Sequence, residues 1–232
     1  MGEFLHCFDL SDKLKCLNFC SRNVIESLFS LQLINNDTKP NPRAIAIENL
    51  IDCQPEHING ISSPRMWLIY KASLYRKLDR TLTSEEQIIV KKAELEITFE
   101  KIRRLINFGA PSRLSCIYLV DNSIDGRIVL QNMFVDYFIN PFIVEVDILN
   151  QMELTKCDQR WLEKYYDEPN NEFVKNYWDG VAFNEKCASW EYLLEGTIIL
   201  TNLEEAKLID EHVMKNFLIE YEQIKSGRSL QQ

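Results

Sequence analysis

The sequence has no surplus of basic residues, no apolar run long enough to cross a bilayer and no glycine-rich phosphate loop. Its 26 Lys and Arg are outnumbered by 35 Asp and Glu, giving a net charge of -9. That balance argues against a general nucleic-acid binder, whose phosphate contacts need a basic surface. Lys71, Arg76, Lys77 and Arg80 are the nearest approach to a basic groove, and on a helix such a cluster reads as a solvated face. The longest hydrophobic stretches fall well short of the roughly 20 residues of a membrane-spanning helix, so no span is expected. Neither a GxGxxG nor a Walker A segment occurs, which leaves the common phosphate-cradling loops out of account. The seven cysteines are an odd number with no paired CxxC framework. Cys16 and Cys20 stand one helical turn apart, but no matching pair follows, so reduced thiols and no structural metal are expected. No cleavable signal peptide is evident, and His6 stands where a myristoylation signal carries serine or threonine. A cytoplasmic location is the expectation.

What is present is ordinary for a globular protein: 46% hydrophobic and 26% charged residues in 232. That length suits one large domain, or a domain with a helical elaboration. No repeat, low-complexity segment or interdomain linker stands out, so the chain is expected to be a single domain over residues 1–232.

The organising stretch runs from Thr83 to Asp121. Thr83 and Glu86 have the spacing of a capping box, and Ile88, Leu95, Phe99, Ile102 and Ile106 recur at helical spacing. Glu85, Lys92, Glu96, Glu100 and Arg103 are then assigned to the wetter sides. Gly109 and Pro111 end the helix, and Leu114–Val120 reads as a strand closed by Asp121-Asn122. The join, Phe108-Gly-Ala-Pro-Ser-Arg113, sets a hydroxyl and a guanidinium at the mouth of that strand. Arg113 reads equally as a surface or salt-bridged arginine.

Around this block the pattern predicts a first strand over Glu3–Leu10, a helix over Asp12–Leu33, a breaker-rich loop over Asn35–Pro42 and a short helix over Ala44–Ile51. A loop over Gln54–Gly60 and a helix over Pro64–Leu78 precede the block. A helix over Asp125–Phe138 and a strand over Phe142–Leu149 follow it. Two short helices are expected in Asp158–Trp178, as a surface excursion broken at Pro169-Asn-Asn171. A strand over Ser189–Leu200, with a turn or bulge at Glu195-Gly196, leads to a long helix over Leu203–Ile224 and a frayed tail. His6 on the first strand reads most simply as a satisfied core histidine, and Glu191 as an ordinary strand-end carboxylate.

Phe99-Glu-Lys-Ile-Arg103, a short spacer, then Pro111-Ser-Arg113 and an apolar strand resembles the central block of a bacterial ADP-ribosyltransferase-like family. The later run from Ser189 through Glu191 and Gly196 to Leu200 is similar to the strand that carries that family's catalytic glutamate. The resemblance implies an α+β fold with a small split β-sheet core, helices inserted between the early and central strands, and a C-terminal helix. It implies NAD as co-substrate, no metal, and transfer of ADP-ribose to a macromolecule, a protein acceptor being expected. Residue by residue, it places the catalytic carboxylate at Glu191 and NAD-binding groups at His6, Ser112 and Arg113. Such a carboxylate holds the ribose 2′-hydroxyl and stabilises the positive charge that builds on the sugar as nicotinamide leaves. Two departures stand out. Ser189 occupies the position where arginine-modifying members carry another Glu or Gln, and the serine-threonine-serine motif is replaced by Pro111-Ser-Arg-Leu-Ser115. The alternative is a catalytically silent interaction module on the same scaffold. Export as an effector without a cleavable signal is compatible with the resemblance.

Overall fold

The computed structural model describes residues 2–35, 42–58, 63–135 and 137–225. Most of the expected Asn35–Pro42 loop, the end of the Gln54–Gly60 loop and the tail from Ser226 lie outside the described residues. The architecture is mixed α+β, with five strands in antiparallel sheet and ten α-helices among the described residues.

In chain order the elements are β1 (Phe4–Asp9), α1 (Lys13–Arg22), β2 (Val24–Glu26) and α2 (Leu28–Asn35), then a 3-10 turn at Pro42–Ala44. Next come α3 (Ile47–Ile51), α4 (Pro55–Ile58), α5 (Pro64–Arg76), α6 (Ser84–Ile106), β3 (Ile117–Asp121) and α7 (Ile124–Phe134). The last five are β4 (Pro141–Asp158), α8 (Arg160–Asp167), α9 (Asn171–Trp178), β5 (Trp190–Leu200) and α10 (Leu203–Lys225).

The chain divides into two compact units of interleaved segments. Met1–Ile25, Asn122–Leu149 and Ile198–Gln232 make the first; Glu26–Asp121 and Asn150–Thr197 make the second.

In the first unit β1 runs antiparallel to the start of β4, with Phe4 opposite Val146, His6 opposite Val144 and Phe8 opposite Phe142. The carboxylates of Glu145 and Asp147 accept the backbone N–H groups of Gly2 and Glu3, at 3.2 and 2.7 Å. These two acids therefore pin the entry to β1. α7 packs on β1, and α1 packs on α10.

The expected single helix over Asp12–Leu33 is instead α1, β2 and α2. Asp12 caps α1 by accepting from Lys15 N–H, and Asn23 ends it in the left-handed conformation at φ 61°. Asn tolerates that geometry better than most residues, and the β-branched Val24-Ile25 pair then extends. Periodicity over the whole stretch hid this break because the apolar spacing resumes in register after it.

The second unit is built on α6. Its capping box is formed as expected: Thr83 Oγ1 accepts from Glu86 N–H at 3.3 Å, and the Glu86 carboxylate accepts from Thr83 N–H at 2.8 Å. α5, α8 and α9 pack against this helix. β3 runs antiparallel to β5, pairing Ile117 with Leu194, Tyr118 with Leu193 and Leu119 with Tyr192.

Three expectations for this part of the chain are corrected. Glu96, Glu100 and Arg103, assigned to the wet sides of α6, are buried, while Ile88 and Ile106, assigned to its core face, are exposed. α9 is no surface excursion, because Val174, Tyr177 and Trp178 all point inward and the Trp178 indole N–H donates to Phe99 O at 3.0 Å. β4 runs nine residues past Leu149, to Asp158. That extension is polar and largely exposed, so alternation of apolar residues gave no sign of it. The strand over 189–200 is present, and it passes straight through Gly196. A Cβ there would lie 2.1 Å from the Asn150 carbonyl oxygen, so this close approach of backbones admits only glycine.

Candidate functional site

Three of the four residues singled out by the resemblance lie in the second unit. The α6–β3 join brings Ser112 and Arg113 back beneath α6, and β5, paired beside β3, brings Glu191. Arg113 is 3% exposed and Glu191 0%.

The Arg113 guanidinium meets Glu96 as a two-pronged pair, Nε to Oε2 at 3.0 Å and Nη2 to Oε1 at 3.1 Å. Its Nη1 donates to Glu191 Oε1 at 2.7 Å and also to the Tyr177 hydroxyl. Tyr177 in turn donates its own proton to Glu191 Oε1 at 2.6 Å. A second guanidinium, Arg65, lies 3.3 Å from Glu96 and bonds the Tyr118 hydroxyl, which donates to the Arg113 carbonyl at 2.6 Å. Two arginines thus face two glutamates in a cluster of balanced charge. Such a cluster holds together only because every partner is present, since an uncompensated buried charge is strongly destabilising.

Electrostatics follow from this geometry. Burial by itself would raise the Glu96 carboxyl, but the guanidiniums of Arg113 and Arg65 outweigh it and hold the group below its ordinary range. Burial likewise works against the charge of Arg113, yet Glu96 and the surrounding oxygens raise its pKa well above the usual value, so it stays cationic. Burial raises the Tyr177 hydroxyl, which therefore keeps its proton and acts as a donor.

Ser112 belongs to a separate knot. Its hydroxyl donates to Glu100 Oε2 at 2.8 Å, and Glu100 also accepts from Arg103 (2.9 and 2.8 Å) and Arg104 (2.8 Å). Arg103 Nη1 donates to the carbonyls of Phe108 and Ala110, at 2.9 and 2.8 Å. This knot fixes the shape of the Phe108–Arg113 join and so sets where Arg113 projects. Ser112 is itself wholly buried. In this structure both Ser112 and Arg113 engage acidic neighbours.

His6 lies in the first unit. It is 7% exposed, and its ring stacks 6.5 Å from that of Phe8 at an interplanar angle of 9°.

Within the cluster around Arg113, Glu191 has incomplete bonding. Its Oε1 receives two donors, while its buried Oε2 has no hydrogen-bond partner among the described residues. Glu195, four residues along the same strand, shares the property. Its Oε1 accepts from Ser115 Oγ at 3.3 Å and lies 4.0 Å from Arg43 Nη1, while the buried Oε2 has no hydrogen-bond partner among the described residues. Burial raises the Glu195 carboxyl above its ordinary range, outweighing Ser27, Arg43 and Ser115.

The Glu195 shift has a consequence for stability. The unfolded chain gives up this proton in the ordinary carboxylate range, whereas the folded chain holds it to higher pH. The folded state therefore binds more protons across that window, and stability declines as pH rises through it. Glu195→Gln, which cannot titrate, should remove this decline. Urea unfolding of both proteins at a series of pH values is the measurement: the variant should gain stability relative to wild type as pH rises above the ordinary carboxylate range. Parallel profiles would show that Glu195 is not held protonated.

The Cys116 thiol has a pKa raised well above its usual value by burial and by Glu195. That environment suppresses the thiolate. Among the described residues no group of three or more His, Cys, Asp or Glu is placed to hold a metal ion, and no helix is long and apolar enough to cross a membrane.

Sequence reading missed Glu96, Tyr177, Arg65 and Tyr118. A signal for the first was present: Glu96, Glu100 and Arg103 are spaced 4 and 3 apart, as one helical face, and an acidic-basic face opposite an apolar one can be a second buried face.

A family model described as "Protein of unknown function (DUF2441)" matches residues 53–211. That span contains every residue of the Glu96–Arg113–Tyr177–Glu191 cluster and excludes His6. A comparison with curated proteins gives no match.

Proposed function

This chain belongs to the DUF2441 family, and we propose that it transfers ADP-ribose from NAD to a macromolecular acceptor, a protein being the class the resemblance favours, with release of nicotinamide. One observation carries the reading. Glu191, at the start of a strand paired beside the central strand, has one carboxylate oxygen tied down by Arg113 and Tyr177 and the other buried and unpartnered. A hydroxyl donor supplied by a ligand would complete its bonding. A ribose offers that donor, and the carboxylate charge would then lie beside the sugar as positive character develops there.

The fit differs among the residues singled out by the resemblance. Glu191 fits, by its unpartnered oxygen. Ser112 and Arg113 already serve Glu100, Glu96, Glu191 and Tyr177, so their role in this reading is to shape the join and orient the carboxylate. NAD supplies a nicotinamide leaving group on the ribose; the chain supplies an oriented negative charge and a site from which water is excluded. Because Glu191 is fully buried and bonded to Tyr177 of α9, turnover in this reading requires α9 to shift far enough to expose it.

The test is nicotinamide release from NAD by the purified chain, together with labelling of lysate proteins from NAD carrying a tagged adenine. Release, with or without a captured acceptor, supports the reading. Tight NAD binding without release or labelling would favour the alternative, a catalytically silent interaction module on the same scaffold. That second reading has its own observation: the Arg113 donors face internal acids, as they would in a purely architectural cluster.

A further inference from the structure

Glu191 is held by two donors of different kinds. Arg113 is fixed by its fork on Glu96 and would stay in place without Glu191. Tyr177 comes from a different element, α9, and its hydroxyl is the only uncharged donor in the described hydrogen bonds of Glu191. The Tyr177 ring is itself held at its edges: Phe99 lies 5.2 Å away at 76° and Trp178 4.9 Å away at 85°. The hydroxyl position is therefore set by ring packing, independently of the hydrogen bond it makes.

Both donors converge on the same oxygen of Glu191. Two bonds to Oε1 fix the torsion of the carboxylate and leave Oε2 as the oxygen with no partner among the described residues. With Arg113 alone, rotation about the last side-chain bond would let either oxygen, or both, turn toward the guanidinium. Bidentate pairing with an arginine is the favoured geometry when nothing opposes it.

We propose that Tyr177 is a positioning residue for Glu191: its hydroxyl prevents a two-oxygen pair with Arg113 and so keeps Oε2 available to a hydroxyl-bearing ligand. This rests on Glu191 being the carboxylate that meets substrate, as proposed above. The titratable and charged groups around the carboxylate are Arg113 from the join, Tyr177 from α9, Cys157 from β4 and Cys116 before β3, with Glu96 and Arg65 beyond Arg113. Cys157 and Cys116 are held as neutral thiols by burial, and an S–H is a far weaker donor than the Tyr177 hydroxyl.

Tyr177→Phe removes the hydroxyl and keeps the ring. Two readouts are taken on the full chain. The first is the carboxylate stretching band of Glu191, isolated as the infrared difference between each protein and its Glu191→Gln counterpart. It should move in Tyr177→Phe toward the bidentate position. The second is nicotinamide release against NAD affinity: kcat should fall on the order of tenfold, with Kd changing much less. A structural role alone would lower the melting temperature and leave both the band and the turnover of folded molecules where they were. Incorporating 3-fluorotyrosine at position 177 gives a folded control, because the more acidic hydroxyl donates more strongly and should move the band in the opposite direction. An unmoved band in both proteins, or an unchanged kcat in folded Tyr177→Phe, overturns the proposal. Absence of NAD turnover in the wild type removes the transferase reading, and an unmoved band then removes the positioning role separately.

Discussion

Arg113→Met is expected to destabilise the protein by about 3–5 kcal/mol, the usual consequence of removing one partner from a buried ion pair. The methionine fills the volume of the arginine stem but leaves Glu96 with Arg65 alone and Glu191 with only the Tyr177 hydroxyl. For a chain of this size each kcal/mol moves Tm by roughly 2–4 °C, so a fall on the order of 10 °C should be seen by calorimetry. Arg113→Lys keeps the charge and loses the fork, so its effect should be smaller. The double variant Glu96→Gln/Arg113→Met should be destabilised by less than the sum of its two single changes, because the charge that Arg113 compensates is gone as well. A Tm within about 2 °C of wild type for Arg113→Met, well under the shift expected for a buried pair, would mean that the cluster is not closed as described.

Glu191→Gln should lower NAD turnover by on the order of a hundredfold or more, with NAD affinity changed much less. Glutamine has nearly the same size and its amide oxygen can still accept from Arg113 and Tyr177, so the packing around position 191 persists. The change removes the negative charge and turns the unpartnered acceptor into a donor. Nicotinamide release, NAD calorimetry and Tm on both proteins separate the roles. An architectural carboxylate predicts the opposite pattern, a lower Tm with full turnover in the folded fraction. In that event Glu195 becomes the next carboxylate to vary, since it shares the strand and also has an unpartnered oxygen.

The parts of this fold that announce themselves in sequence are those set by local rules. The Thr83–Glu86 capping box, the apolar run that becomes β3 and the strand through Glu191 needed no tertiary information. The break at Asn23 was hidden because apolar spacing continues through it, and a single left-handed residue leaves no mark on periodicity. The charged face of α6 was misread for a deeper reason. Glu96 and Glu100 are polar by composition; the return of Arg113 and Arg65 from elsewhere in the chain makes the burial of Glu96 tolerable, and Glu100 is met by Arg103 and Arg104 on its own helix together with Ser112. Pairing between residues as far apart as Arg113 and Glu191 cannot be seen from either neighbourhood alone. α9 shows the same effect in reverse: its acidic surroundings suggested a surface, yet Val174, Tyr177 and Trp178 form an inward stripe.

The most direct test of the Glu191 assignment is a structure of the full chain determined with NAD bound. The account predicts a ribose hydroxyl of NAD within hydrogen-bonding distance of Glu191 Oε2, with Oε1 still held by Arg113 and Tyr177 and α9 displaced enough to admit the dinucleotide. NAD bound away from Glu191, or a Glu191 that remains sealed beneath Tyr177 at saturating NAD, would contradict it.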